Sequence, residues 1–401
     1  MDRLATGFPR ELLTQPWTAR LEYFKGYTMA HPRLVQARDA LLGVIQGVAP
    51  NSLILVLGPT GVGKTTLRAK IEQMLVAEML AELNVDPGRL PVVSVECAAP
   101  ESGIFNWRDH FRTLLLQMEE PLVNCKINPG APVWVRNRAV RFMPSARAVG
   151  SEYHHAVEQA LRFRHPVAVL IDEAQHLVRM GSGRRLSDQL DVIKSIANRT
   201  ATIHVLLGTY ELLAFRNLSG QLSRRSVDIH FPRYRADHAE DRKTFLAVLR
   251  SFEQQLPVSE PPELVKNWEY LYERSIGCVG VLKDWLVRAL TGALRRDATV
   301  VTYGDLQRHA LSVAQCDKIL SESLEGEGRL LESTEQRRRL RIRLGLNSKE
   351  SQGVDSPFGK VSSATVAAMP QRKRRRKPGE RQPRRDVIGL PVPSYAPVAS
   401  F

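Results

Sequence analysis

The chain has 401 residues, of which 43% are hydrophobic, enough to bury the cores of two or three domains. Its formal net charge of +15 favours a nucleic acid or an acidic protein surface as partner. We expect no membrane partner and a cytoplasmic location, because no apolar stretch approaches the roughly 20 residues of a membrane-spanning helix and the N-terminal residues lack the apolar region of a secretory signal. The four cysteines are scattered without a CxxC pair, which argues against a zinc site or a disulfide framework.

Residues 1–50 read as an N-terminal extension followed by a helix, since apolar positions recur at helical spacing from Leu34 to Val48. Residues 51–235 then alternate helical patterns with short apolar, β-branched runs. The five runs are Leu53–Leu57, Val92–Val95, Val167–Ile171, Ile203–Leu207 and Val227–Phe231. This alternation predicts an α/β fold with a five-stranded parallel sheet sandwiched by helices.

A phosphate-binding loop follows the first run. The segment Gly58-Pro59-Thr60-Gly61-Val62-Gly63-Lys64-Thr65 fits the pattern GxxxxGK[ST], between an apolar run and a helical pattern. In such loops the backbone N–H groups and the helix N-terminus hold phosphate oxygens, the lysine reaches the β- and γ-phosphates, and the hydroxyl binds Mg²⁺. We therefore predict a nucleoside triphosphate with Mg²⁺ as ligands, with Thr65 at the metal. The predicted nucleotide-binding residues are Gly58, Pro59, Thr60, Gly61, Val62, Gly63, Lys64, Thr65 and Thr66.

A basic insert occupies about residues 124–150 and contains five Lys and Arg residues, three prolines, Trp134 and no acidic residue. We interpret it as a basic loop or hairpin within the sheet domain. Two roles stay open for this segment: it contacts DNA phosphates, or it is a solvated connector.

Two further runs end in polar residues. Val167–Ile171 leads into Asp172 and Glu173, which we expect to hold Mg²⁺ and to activate the attacking water, respectively. The alternative is an ordinary acidic turn after a strand. Ile203–Leu207 leads to Thr209, which either contacts the γ-phosphate or the water, or merely caps the next helix.

Arg224 and Arg225 precede the fifth run. An arginine delivered by a neighbouring subunit stabilises the charge of a transferring phosphoryl group, and either residue is placed to do so in an oligomer. The alternative is a pair of surface arginines, and the sequence does not separate the two residues.

The last part of the chain is predicted to be a helical lid and a tail. Residues 236–320 contain three amphipathic segments, at about 237–255, 261–275 and 280–296. Residues 321–401 carry 17 Lys and Arg against 9 Asp and Glu and are rich in Ser, Pro and Gly toward the end, so we expect a basic, mostly disordered tail.

Four segments in this order resemble one family. GPTGVGKT, VLIDEAQH, LLGTYELL and LSGQLSRRS, with HPRL upstream, resemble the TnsC- and TniB-type AAA+ ATPases that regulate Tn7-like and Tn5053-like DNA transposition. The resemblance covers about residues 20–295. It implies a P-loop AAA+ fold with a small three-helix lid, Thr209 as the first nucleotide sensor, and Arg224 or Arg225 as the arginine finger. Many AAA+ lids carry an arginine as a second sensor, but here Lys283 is the nearest cation.

The resemblance implies a slow, regulatory ATPase that assembles with ATP into a ring or helical filament on double-stranded DNA. Such an assembly marks the target site, recruits the transposase and responds to a target-site selector protein, while hydrolysis drives disassembly. Two alternatives stay open: a DNA-dependent AAA+ helicase loader or replication factor, and a signalling NTPase that does not bind DNA.

Overall fold

The computed structural model describes residues 7–100, 105–125, 133–135, 138–140, 146–178, 184–216, 226–331 and 333–346. Its contacts divide the chain into two units, residues 1–334 and 335–401. The strands are β1 Leu53–Leu57, β2 Val92–Glu96, β3 Val133–Val135, β4 Arg138–Val140, β5 Ala168–Asp172, β6 Ile203–Gly208 and β7 Ser226–His230. The helices before β7 are α1 Trp17–Gly26, α2 Pro32–Gly47, α3 Lys64–Glu78, α4 Leu80–Val85, α5 Trp107–Gln117, α6 Ala146–Arg164, α7 Arg184–Thr200 and α8 Leu213–Arg216. Those after it are α9 Ala239–Gln255, α10 Trp268–Ser275, α11 Val279–Leu294, α12 Tyr303–His309, α13 Val313–Leu330 and α14 Thr334–Arg343.

Five of the strands form one sheet in the order β2-β5-β6-β1-β7, and every pair in it is parallel. The predicted α/β class with a five-stranded parallel sheet is confirmed. All residues of the central strands β1, β5 and β6 are buried, because helices cover both faces of the sheet. The two remaining strands, β3 and β4, form a separate antiparallel pair within the predicted basic insert.

Each face of the sheet has its own core. Residues of α5, α6 and α7 pack on one face, and residues of α2 and α3 pack on the other. Helix α2 begins with Pro32, where the missing N–H costs nothing, and the Nδ1 atom of His31 accepts a hydrogen bond from the N–H of Leu34 at 3.4 Å. Burial lowers the pKa of His31 to about 4, so the ring is neutral and keeps this acceptor.

A third core joins the lid helices α9, α10 and α11 with residues of α1 and α12. Its largest side chain is Trp285 of α11, which is fully buried and donates from Nε1 to the carbonyl of Leu306 at 2.8 Å. The second predicted lid segment began near residue 261, whereas α10 begins at Trp268. The residues between them form turns instead, in which the N–H of Leu264 donates to the carbonyl of Pro262 at 3.0 Å and that of Asn267 to the carbonyl of Leu264 at 3.2 Å.

The helical region continues past residue 320, where the sequence suggested a change from lid to tail. Ser312 and Gln315 form a capping box that starts α13, and the helix then crosses this position. Helix α14 is exposed along its length, and within it Glu335 pairs with Arg338 and Arg339. The arginine- and lysine-rich run at 372–377 lies outside the described residues. None of the described helices combines the length and apolarity needed to cross a membrane.

Candidate nucleotide-binding site

The phosphate-binding loop links β1 to α3 through backbone that favours glycine. Gly61 has φ +74° and Gly63 has φ +114°, both in the left-handed region. Gly58 is needed for another reason, because a Cβ atom there would lie 2.4 Å from the carbonyl oxygen of Phe231. The predicted loop is therefore present as a tight curl at the carboxyl edge of the sheet.

Lys64 is folded back into this loop. Its Nζ donates hydrogen bonds to the carbonyl oxygens of Gly58 at 3.0 Å and Pro59 at 2.9 Å, and the residue is only 6% exposed. Burial lowers the pKa of Lys64, and the carboxylates of Glu173 and Asp172 act in the opposite direction. The ammonium group therefore lies within the field of both predicted acids, held by oxygen acceptors of the loop itself.

The two predicted acids, Asp172 and Glu173, lie at the carboxyl end of β5. Asp172 is 2% exposed, accepts from the N–H of Glu173 at 2.9 Å, and lies 3.3 Å from Nε of Arg68, one helical turn beyond Lys64. Glu173 has φ +51°, a left-handed conformation that non-glycine residues rarely adopt. Such local strain is concentrated at functional sites, and here it turns the chain sharply from the strand into a 3₁₀ turn, Ala174–Leu177.

Thr209 directly follows β6, the strand beside β5. Its backbone N–H donates to Oε1 of Gln175 at 3.2 Å, and Nε2 of Gln175 donates to the carboxylate of Glu173. The Oγ1 atom of Thr209 is buried and has no hydrogen-bond partner among the described residues. A buried hydroxyl without a hydrogen-bond partner is uncommon, and this one is free to bind a polar ligand.

Several predicted residues are thus brought to one edge of the sheet: the loop, Lys64, Asp172, Glu173 and Thr209. Thr65 lies at the same loop–helix junction with an exposed side chain. Arg224 and Arg225 lie outside the described residues. The Nζ atom of Lys283 donates to the carbonyl oxygens of Lys25 at 2.7 Å and of Tyr27.

The lid touches the loop directly. The N–H of Val281 donates to the carbonyl oxygen of Gly61 at 3.1 Å, and a Cβ atom on Gly280 would lie 2.5 Å from that oxygen. A cavity of about 50 Å³ lies beside this contact, bounded by the chain around Met29, by Thr66 and by the start of α11. The lid, the lead-in to α2 and the loop therefore meet at one place.

A larger cavity of about 300 Å³ lies on the other side of the loop, between Pro59, Thr60, Thr209 and helix α13. Among the contacts of α13, two lie beside this cavity. Gly326 lies against the ring of Tyr210 so closely that a Cβ atom would be 2.1 Å from it. Glu327 forms an ion pair with Arg233 at 3.0 Å, with the two side chains 12% and 7% exposed.

The sequence analysis missed both Gln175 and this wall of the cavity. A signal for Gln175 was present, since it lies two residues beyond Glu173 at the end of a buried strand. No sequence signal distinguishes Gly326 from any other glycine in a charged helix.

Comparison with known proteins agrees with this geometry. Residues 49–215 match the AAA domain family. This range contains the loop, both acids and Thr209, and the sheet has the P-loop AAA+ fold. No curated protein matches the sequence at a significant level.

Solved structures give distant likenesses. The Aeropyrum pernix ORC2 protein, solved as ADPNP and ADP complexes, is 16% identical with a TM-score of 0.46 over 74% of this chain and 71% of its own. The Aeropyrum pernix ORC1 protein in complex with DNA is 19% identical with a TM-score of 0.45 over 77% and 70%. A Walker-type ATPase of Pyrococcus abyssi is 19% identical with a TM-score of 0.37 over 77% and 76%.

Proposed function

We propose that this protein is an AAA+ ATPase that assembles on double-stranded DNA in the presence of ATP and regulates transposition. The observation that carries the ATPase part is the meeting of Lys64, Asp172, Glu173 and the unpartnered hydroxyl of Thr209 at the loop edge of the sheet. A cation, two acids and a free hydroxyl around a curled glycine loop are the groups that phosphoryl transfer to water requires.

Each group has a part in hydrolysis. The loop amides and Lys64 bind and orient the phosphates, with phosphate oxygens taking the place of the carbonyls that Lys64 now contacts. Glu173 orients the attacking water and accepts its proton, while Thr209 donates from Oγ1 to the γ-phosphate or the water. The chemistry is mainly positioning and charge stabilisation, which suits a site built from rigid strand ends.

The residues also fit a magnesium ion. Thr65 offers an exposed hydroxyl and Asp172 a buried carboxylate, and Mg²⁺ takes few protein ligands because it keeps water and phosphate oxygens. When bound, Mg²⁺ neutralises the charge that develops on the phosphate oxygens.

Two features support assembly on DNA: the positive net charge of the chain, and the proposed need of the nucleotide site for an arginine from a neighbouring subunit. The net charge of +15 favours phosphate contacts that do not depend on base sequence. Arg224 or Arg225 of a neighbouring subunit completes the site in the proposed oligomer, so ATP binding and head-to-tail assembly reinforce each other. Contacts of this type close into rings or extend into helical filaments.

The role in transposition is supported by the resemblance of four ordered segments, above all LLGTYELL and LSGQLSRRS, to the TnsC- and TniB-type regulators. The proposed partners are the transposase and a target-site selector protein. In this role the ATPase acts as a switch and leaves DNA cleavage and joining to the transposase.

The test is electron microscopy of the full chain with duplex DNA and a non-hydrolysable ATP analogue, combined with ATPase assays. We expect nucleotide-dependent rings or filaments on DNA, lost in Lys64→Ala, and an assembly that persists with ATP in Glu173→Gln. A transposase pull-down then separates the proposed role from a helicase loader, which would retain a replicative helicase instead. ATP hydrolysis that neither responds to DNA nor accompanies assembly would refute the DNA switch and favour a signalling NTPase.

A further inference from the structure

Gln175 joins the ends of two neighbouring strands through one side-chain amide. It is 3% exposed and lies in the 3₁₀ turn that follows β5. Its Nε2 donates to the carboxylate of Glu173, and its Oε1 accepts from the backbone N–H of Thr209 at 3.2 Å. The acid at the end of β5 is therefore connected to the first residue after β6.

The space around this amide is tightly limited. A Cβ atom on Gly208 would lie 2.6 Å from Oε1 of Gln175 and 2.8 Å from the side chain of Leu212. The backbone of the turn is also fixed, because the N–H of His176 donates to the carbonyl of Glu173 at 3.0 Å and that of Val178 to the carbonyl of Gln175 at 2.9 Å. The amide therefore fits between its two partners because residue 208 has no Cβ atom.

Both the donor and the acceptor of this amide have a hydrogen-bond partner, as a buried polar group requires. The carboxylate of Glu173 is half-buried, and no ion pair involving it occurs in the described part of the chain. Its direction therefore depends on the hydrogen bond from Gln175 and on the left-handed backbone at residue 173. A bond from a neutral donor to a charged acceptor is stronger than one between neutral groups, so this contact sets the direction effectively.

We propose that Gln175 is a positioning residue that orients the Glu173 carboxylate and couples this orientation to the Thr209 end of β6. The inference rests on the proposed ATPase function. When Thr209 engages the γ-phosphate, any shift of its N–H is transmitted through the rigid amide to the carboxylate. Hydrolysis thereby depends on whether the γ-phosphate is in place.

The experiment measures single-turnover ATP hydrolysis and nucleotide affinity in the full chain. Gln175→Met keeps the length of the side chain and removes both hydrogen bonds, while Gln175→Glu places a second carboxyl group beside Glu173 in place of the amide donor. We expect both variants to lose about 10- to 100-fold in hydrolysis rate, with nucleotide affinity within about twofold of wild type. His176→Ala, in the same turn and without a side-chain hydrogen bond or ion pair to Glu173 in the described structure, is the matched control and is expected to keep the wild-type rate.

A double-variant cycle distinguishes positioning from a general structural role. If Gln175 acts through Glu173, adding Gln175→Met to Glu173→Gln produces no further loss in rate. A multiplicative loss, a parallel loss of nucleotide affinity or a wild-type rate in Gln175→Met would overturn the inference. Absence of hydrolysis in the wild-type protein would instead refute the proposed ATPase function, and the inference with it.

Discussion

Replacing Glu327 with Gln tests how firmly α13 is docked beside the phosphate-binding loop. The carboxylate lies 3.0 and 3.4 Å from two guanidinium nitrogens of Arg233, which is 7% exposed. The other described partner of this guanidinium is the hydroxyl of Tyr272 at 3.3 Å. In the variant, the buried guanidinium of Arg233 keeps the hydroxyl of Tyr272 as a neutral acceptor. Its contact with residue 327 is weaker, because an amide replaces the carboxylate.

Removing one partner of a fully buried ion pair typically costs about 3–5 kcal/mol. The loss here is smaller, because α13 can leave its site and expose Arg233 to water, so the cost cannot exceed the free energy that docks the helix. We expect a loss of about 2 kcal/mol, which corresponds to a roughly 30-fold increase in local opening.

Hydrogen–deuterium exchange of the α13 amides measures this opening. Glu325→Gln is the matched control, since its ion pair with Arg329 is exposed at 66% and 59% and contributes only about 0.5 kcal/mol or less. Exchange in α13 that is equally slow in Glu327→Gln, Glu325→Gln and wild type would refute the reasoning. It would mean that the packing of Gly326 on Tyr210 suffices to hold the helix.

Three further predictions concern the lid, a buried histidine and the lid–loop contact. Trp285→Ala removes a fully buried indole and should lower the free energy of unfolding of the lid by about 3–5 kcal/mol, as measured by chemical denaturation. The pKa of His31 is about 4 in the fold and 6.5 in the unfolded chain, so unfolding takes up a proton and stability falls as pH decreases from about 6.5 towards 4. His31→Asn keeps a helix-capping oxygen without titrating, and denaturation at pH 7 and pH 5 should show about 1–2 kcal/mol less pH dependence than wild type. Gly280→Ala forces the lid away from the carbonyl of Gly61 and should weaken nucleotide binding at least about tenfold by titration, whereas Gly43→Ala, where the added methyl meets no atom within 4 Å, should not.

The parallel sheet and the loop could be predicted from the sequence because both depend on local pattern. Apolar runs buried on two faces identify strands without reference to the rest of the chain, and the observed strand β1 has the predicted bounds, Leu53–Leu57. The strand ends then place Asp172 and Thr209 at the same edge, since parallel strands share their carboxyl ends.

The contacts that organise the site depend on sequence-distant partners and could not be predicted. Gly326 and Tyr210 are 116 positions apart, and nothing in either local sequence indicates that they touch. Lys283 was the nearest cation by position in the lid, yet its Nζ binds carbonyl oxygens near the end of α1 because that end of the chain packs on α11. The bridge through Gln175 needed the register of β5 against β6 before its two partners could be recognised.

Because α13 forms one wall of the cavity, the residues proposed for the chemistry and the residues that enclose the site come from different parts of the chain. Apart from Arg224 and Arg225, the predicted groups for phosphoryl transfer lie within residues 49–215, whereas one wall of the cavity begins at residue 313. An insertion or deletion in the connecting helices would shift that wall against the loop without altering any motif residue. Homologous chains with identical motifs can therefore differ in access to this cavity, and a fragment cut at residue 215 would expose to solvent loop residues that the full chain partly encloses.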